Sequence, residues 1–520
     1  MSKYLHYFEA EGAFENAYYG EKYHEPWVSR TIDWDLETDR VDYNMSEEEK
    51  RDRYKKIPLT FEITSDGDIR WVASATTFTK TIEYKKNDSE WASITSNTGA
   101  SAPSISVVSG DTIQFRGDNA TYSSGYGRNN CFSGTTCGFK IKGNIMSLID
   151  STGFTTALTL TDGYNFNGLF LNCSYLTDAS KLVLPATALT QGCYRSMFAK
   201  CWRLAEVPEL PATTLASECY QGMYAGCPIT AAPELPALTG ATYCYGGMFS
   251  GCTLLSSPPV IKLTTLDSQC CISMFEGCRS LTTAPELPAT ILATSCYASM
   301  FRGCSSLTTA PELPATILAG SCYSTMFAGC TSLTTAPELP ASALVSSCYQ
   351  YMFSGCTSLT TAPELPATTL ANYCYRGMFN RCTGLTTTPA ILPATTLAEY
   401  CYDGMFSQCY GLTTAPVLPA TTLANYCYDA MFNQCTGLTA APELPATTLA
   451  NYCYRSMFYE CFNISYIKCL ATNISASNCT SQWVAGVQTT SGTFVKNANM
   501  SSWTTGFNGI PSNWTVQDAS

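Results

Sequence analysis

The string CYxxMFxxC recurs along most of this 520-residue chain, and its spacing limits what the chain can fold into. Its first cysteines are Cys193, Cys219, Cys244, Cys270, Cys296, Cys322, Cys348, Cys374, Cys401, Cys427 and Cys453, separated by steps of 26, 25, 26, 26, 26, 26, 26, 27, 26 and 26. A second cysteine follows each at +8, from Cys201 to Cys461. Degenerate copies flank the array, at Asn165 to Cys173 and at Cys479 with Trp483, so 24 of the 28 cysteines belong to one pattern. A strict period of this length predicts a solenoid, in which each coil buries its apolar face against the next.

Each unit reads roughly CYxxMFxxCxxLTTAPELPATTLAxx. Apolar residues at positions 0, 1, 4, 5 and 8 form one stripe at helical spacing, which predicts a short helix with Cys, Tyr, Met, Phe and Cys facing inward. Leucines at +11, +17 and +22, as in Leu281, Leu287 and Leu292, belong to an extended return. Prolines such as Pro285 and Pro288 cannot donate to a ladder, so the strand in each coil should span two or three residues.

These residues resemble the BspA-like class of leucine-rich repeats, with its AFxxCxxLxxIxLPxxL theme. Met300-Phe301, Cys304, Leu307, Leu313-Pro314 and Leu318 carry the match, and similar copies run from about 160 to 480. The chain departs from the theme in its longer period, its Met-Phe for Ala-Phe, and an added cysteine per coil. The resemblance implies a right-handed solenoid used for protein binding or adhesion, and no reaction. The expected fold class is therefore an α+β repeat: a BspA-like solenoid over 149–480, preceded by a small all-β domain.

Composition narrows the function. The formal charge is −12, from 29 basic and 41 acidic residues, which repels a phosphate backbone and argues against nucleic acid as partner. Only His6 and His24 occur, so histidine-based acid–base and metal chemistry is excluded from the rest of the chain. No Ser/His/Asp set, phosphate loop or HExxH motif is present, and neither an enzyme nor a cofactor is expected. No run of about 18 apolar residues predicts membrane insertion. Two cysteines eight apart on a helix would lie about 12 Å apart, too far for a disulfide. The repeat cysteines therefore read as buried thiols packing as small hydrophobes, while Cys131 and Cys137, outside the array, could pair.

Residues 1–57 carry 14 acidic and 9 basic residues, and SEEEKRDRYKK at 46–56 reads as a solvated helix or linker. Tyr4, Tyr7, Phe8, Phe14, Tyr18, Tyr19, Tyr23 and Trp27 exceed what so short a piece can bury, so they dock on the next domain or face another subunit. Residues 58–148 alternate in LTFEI (59–63), IRWVA (69–73), TIEYK (81–85), SISVV (104–108), TIQFR in the 111–116 region and FKIK (139–142), which predicts an Ig-like β-sandwich. Ser65-Asp66-Gly67-Asp68 reads as a hairpin turn between the first two strands. Residues 481–520, with Phe494, Val495, Trp503, Phe507 and Trp514, would cap the far end.

Two surface features stand out. Glu209, Glu234, Glu286, Glu312, Glu338, Glu364 and Glu443 fall at equivalent places in the PELP element, a solvated stripe or an acidic face for a basic partner or cations. The residue before the first cysteine is Tyr373, Tyr400, Tyr426 and Tyr452 in late coils but Ser295, Ser321 and Ser347 in earlier ones. With Arg376 and Arg381 nearby, these residues form a candidate contact surface, since tyrosine and arginine dominate binding hot spots. The expected role is a non-enzymatic binding protein. One form is a phage virion part, a head or tail fibre or decoration, that joins other virion proteins through its N-terminus. The absence of a secretory signal and the aromatic opening, which is similar to the start of proteins from phages of gut anaerobes, favour that form. The alternative is a bacterial surface adhesin. Either would meet a protein or glycan on a cell surface, with homo-oligomers allowed.

Overall fold

The computed structural model describes residues 45–125, 129–487, 491–501 and 503–519. The aromatic residues from Tyr4 to Trp27 and both histidines lie outside that set. Helix α1 (Glu47–Tyr54) comes first, held by a capping box. The Ser46 side chain accepts from the Glu49 amide, and the Glu49 carboxylate accepts from the Ser46 amide. Its Tyr54 is buried.

Ten strands follow: β1 (Leu59–Ile63), β2 (Gly67–Arg70), β3 (Val72–Ala73), β4 (Thr81–Lys86), β5 (Ala92–Thr95), β6 (Ser104–Val107), β7 (Thr112–Arg116), β8 (Asn130–Cys131), β9 (Phe139–Asn144) and β10 (Leu176–Val183). One sheet runs β10-β9-β1-β7-β4-β5, and two ribbons, β2–β6 and β3–β8, stand apart from it. Two sheets of comparable size, as an Ig-like sandwich requires, are not what forms. The Ser65–Asp68 turn is likewise no hairpin. β1 pairs with β7 and β9 while β2 pairs with β6, so the turn passes the chain from the large sheet to a ribbon. Trp71 then packs on Phe132, which meets Phe61 and Phe115 of the sheet at 4.9 and 5.0 Å between centroids.

The large sheet does not end at the β-domain. β9 pairs in parallel with β10, and Asp178 of β10 bridges to Glu206 of the next coil. The β-domain thus adds its sheet edge-on to the first coil. Its side chains do the same in the interior: Tyr122 stacks on Phe166, and Phe132 on Phe170. These pairs head two aromatic columns. One continues through Tyr194, Tyr220 and Tyr245, is broken by Cys271, and resumes from Tyr297 to Tyr454. The other runs unbroken from Phe170 to Phe458, and Trp483 meets the end of both. Strands β11 (Tyr466–Cys469), β12 (Thr493–Lys496) and β13 (Thr515–Asp518) then pair in parallel over the last coils. Phe494, Val495 and Trp514 are buried there, whereas Phe507 lies on the surface.

Inside the array the predicted helix is absent. The segment CYxxMFxxC is a run of turns. In the first coil the amides of Cys193, Arg195, Met197, Ala199 and Cys201 donate three residues back, to Thr190, Gly192, Tyr194, Ser196 and Phe198. The amides between them, on Gly192, Tyr194, Ser196, Phe198 and Lys200, donate instead to the next coil, at 2.8–2.9 Å. An α-helix would keep all these bonds to itself; here half of them join coils. The turn spiral repeats every four residues, and positions −1, +3 and +7 take left-handed backbone, as at Ser295 (φ 51°), Ser299 (φ 56°) and Gly303 (φ 72°). Positions 0, 1, 4, 5 and 8 still point inward, and they are buried in every full coil.

The return segment pairs through isolated one-residue bridges, such as the row Thr283, Thr309, Thr335, Thr361 and Thr387. This is shorter than the two or three residues expected, because Pro285 and Pro288 and their equivalents, which cannot donate, follow the bridging threonine. Longer pairing appears where the proline pattern lapses, in β11.

Candidate binding surface

The cysteine columns come first, because they would be the obvious place for chemistry. All 28 cysteines are buried free thiols, Cys131 and Cys137 among them. Each of the eleven cysteines at +8 donates to the carbonyl of the aromatic residue at +5 in the preceding coil, at 3.0–3.2 Å. The thiol thus fills an apolar space and offers a weak donor there, which alanine or valine could not do. Burial pushes the thiol of Cys322 up to about 11 and that of Cys304 up to about 12. Thiolate, the reactive form, is therefore disfavoured. Among the described residues no group of three or more His, Cys, Asp or Glu side chains could hold a metal ion.

The glutamate row is fully on the surface. Glu209, Glu234, Glu286, Glu312, Glu338, Glu364 and Glu443 are all exposed. Arg51 of α1 pairs with Glu209, and Lys468 pairs with Glu443 at 3.0 Å. Val260, Ile391 and Val417 interrupt the row. Like charges one coil apart are tolerable in water, and nothing in the row converges on one point.

The tyrosines do converge. Tyr373, Tyr400, Tyr426 and Tyr452 sit at position −1 of four successive coils and stack face to face. Their centroids are 4.8, 4.4 and 4.4 Å apart, with planes within 12° of parallel. The buried columns are looser, for example 5.5 Å for Phe379–Phe406 and 6.1 Å for Tyr428–Tyr454. All four tyrosines are half-buried and hold left-handed backbone, φ 55–62°. For a bulky side chain that conformation costs about 1–2 kcal/mol. The fold does not require tyrosine there, since Ser295, Ser321 and Ser347 hold the same backbone.

Beside this row, position +2 reads Arg376, Asp403, Asp429, Arg455 across the same four coils. Arg376 lies over the rings of Tyr373 and Tyr400, 5.6 Å from each centroid, and its Nε donates to Asp403 at 2.8 Å. Arg455 lies 5.3 Å from the rings of Tyr426 and Tyr452 and donates through Nε and a second nitrogen to the two oxygens of Asp429. Both arginines thus combine a ring contact with an ion pair. Burial, then the neighbouring Asp429 charge, pushes Asp403 up to about 6 against the pull of Arg376. Burial also raises Asp429, although Arg455 opposes it. Arg381, in a separate row at +7, donates to Gln408 at 3.0 Å and does not touch the tyrosines.

A depression of about 630 Å³ opens beside the two rows, with Tyr400, Tyr426, Asp403, Asp429, Asn433 and Gln482 on its sides. Toward the N-terminus the ring of Tyr351 lies over Gly377, so closely that an added Cβ would collide with it. Only glycine admits that approach. Sequence reasoning singled out the four tyrosines and Arg376 but passed over Arg455 and the pairing of the two aspartates. The sequence carries the signal: aligning position +2 on the first cysteine of each coil puts Arg, Asp, Asp and Arg in one file.

A chain of stacked coils with leucines at fixed places and up to three single-residue bridges between neighbouring coils defines a leucine-rich-repeat solenoid. Residues 294–439 and 374–481 match the family described as BspA type leucine rich repeat region, in six copies. No curated protein matches the chain. Among solved structures it is similar to a leucine-rich repeat protein from Bacteroides ovatus, at 13% identity over 74% of this chain and 96% of that one, TM-score 0.36. A leucine rich cell surface protein from Faecalibacterium prausnitzii is similar at 16% identity over 64% of this chain and 90% of that one, TM-score 0.33.

Proposed function

We propose that the chain is a non-enzymatic recognition protein, a surface adhesin of BspA type, that meets its target with the outer face of the coils from Tyr373 to Tyr452. The observation that carries this reading is the tyrosine row itself. Four large rings occupy strained backbone on the outside of the stack, where serine serves the fold equally well. Side chains that cost conformational energy and add nothing to the core are what a binding face leaves behind. The family match over residues 294–481 supports a presenting scaffold of this kind. A virion part is the competing reading. It draws on the aromatic opening of the chain, and that stretch lies outside the described residues.

The test replaces Tyr373, Tyr400, Tyr426 and Tyr452 together by serine and follows labelled protein binding to intact bacterial and epithelial cells. Truncated hot-spot residues cost over about 1 kcal/mol each, so the variant should bind at least about tenfold more weakly while it still folds cooperatively, with a melting temperature lowered by the loss of the stack. Unchanged cell binding by a folded quadruple variant would reject the face.

A further inference from the structure

Building on that recognition reading, we infer that the depression beside the tyrosine row is a site for a neutral, unbranched glycan lying along the axis of the stack. The lining decides the chemical class. A protein partner would bury tyrosine ring faces and unpaired arginines. Here the faces of Tyr400 and Tyr426 are covered by stacked neighbours, both arginines are paired, and Ala430 supplies a methyl between polar walls. Those walls are carboxylates (Asp403, Asp429), amides (Asn433, Gln482) and phenols (Tyr400, Tyr426). Carboxylates and amides are planar and present two hydrogen-bonding atoms side by side, the spacing that a pair of neighbouring sugar hydroxyls meets.

The tyrosine faces are taken up by one another, so the row offers ring edges and hydroxyls rather than a stacking platform. The charged groups are already fixed: Arg376 holds Asp403 and Arg455 holds Asp429, each across one coil. A ligand therefore finds acceptors whose orientation needs little further ordering.

Charge and shape narrow the class further. Two arginines and two aspartates balance to zero within the site, while the whole chain carries −12. Sulfated or uronic polymers would be repelled over long range. The tyrosine row repeats from coil to coil, with rings 4.4–4.8 Å apart, so the site extends along the stack and suits a ligand that itself runs along a line. Ala430 and Ser456, at position +3, leave the trough open, whereas Tyr351 occupies the same position three coils earlier.

The experiment titrates the full chain with cellohexaose, mannohexaose and xylohexaose in a calorimeter, with heparin and polylysine as charged probes. At least one neutral hexasaccharide should bind. Asn433→Ala should weaken that binding about tenfold, the worth of one well-placed hydrogen bond. Ala430→Tyr, which copies the residue at Tyr351, should abolish it. Melting curves check that both variants fold. Binding that survives both substitutions overturns the site. Heparin or polylysine binding in preference to all three sugars overturns the neutral glycan. If none of the sugars binds while tyrosine-dependent attachment to cells persists, the glycan falls and the recognition face stands. Only cell binding that ignores the four tyrosines removes the recognition face itself.

Discussion

The coils beginning at Cys296, Cys322 and Cys348 and those beginning at Cys374, Cys401, Cys427 and Cys453 are the same inside and different outside. Phe301, Phe327 and Phe353 follow one another at 5.6 Å, and Phe379, Phe406, Phe432 and Phe458 at 5.5–5.9 Å. Both sets hold left-handed backbone before the first cysteine. Yet the first set carries serine there, with Ala298, Ser324 and Gln350 at +2, while the second carries tyrosine, with Arg376, Asp403, Asp429 and Arg455. Each interior position is answered by the same position one coil away, so it changes only to another buried side chain, as at Cys271 and Tyr224. An outward position answers only to solvent and to whatever binds. The contrast separates what the solenoid needs from what this protein adds.

The sharpest break between the two would come from comparing one ring of each kind. Phe353→Ala opens a gap in a dry column and should cost about 3–5 kcal/mol in urea unfolding. Tyr426→Ala removes one member of a half-exposed stack and should cost about 1 kcal/mol. Equal losses would make the outer row part of the core.

A smaller effect should appear with pH. Asp403 holds its proton up to about 6 in the folded chain, against an ordinary 3.8. The folded state therefore binds that proton more tightly than the unfolded state. Its contribution to stability is fully present below 3.8 and is lost as the pH rises through about 6. Asp403→Asn should leave stability nearly unchanged at about pH 3.5 and raise it by up to about 3 kcal/mol at about pH 8. Ser324→Asn, at the equivalent place in the plain coils, should leave the pH profile of stability as it is. A parent profile flat between those limits would remove the burial argument.

The smallest effect concerns the backbone. Glycine enters left-handed conformation freely, so Ser321→Gly should stabilise the chain by about 0.5 kcal/mol, read as a small rise in melting temperature. A fall instead would mean that the serine hydroxyl, and not the backbone, governs position −1.

Much of the site is legible in the amino-acid sequence, because the repeat supplies its own alignment. Tyr373, Tyr400, Tyr426 and Tyr452 stand out against Ser295, Ser321 and Ser347 only because the neighbouring coils show what the position otherwise holds. Arg381 stands out by the same logic and proves to belong elsewhere, since its partner Gln408 lies in the +7 row. The Ig-like expectation rests on apolar–polar alternation in the sequence, which β6 and β7 carry into their burial while Thr60 of β1 is buried as well. Alternation reports which side chains are buried and not which strand is the neighbour, so the parallel pairing with β10 leaves no trace in it.

The amino-acid sequence by itself determined the period, the inward residues and the solenoid, because burial follows from apolar side chains at fixed steps. Only the tertiary structure decided that CYxxMFxxC is a spiral of turns and not a helix. Apolar positions 0, 1, 4, 5 and 8 suit a period of 3.6 or of 4, and what separates the two is where alternate amides find acceptors. Here those acceptors belong to the adjacent coil, some 26 residues along the chain. The pairs Arg376–Asp403 and Arg455–Asp429 have the same origin. Each joins residues about one coil apart in sequence that become neighbours only once the coils have stacked.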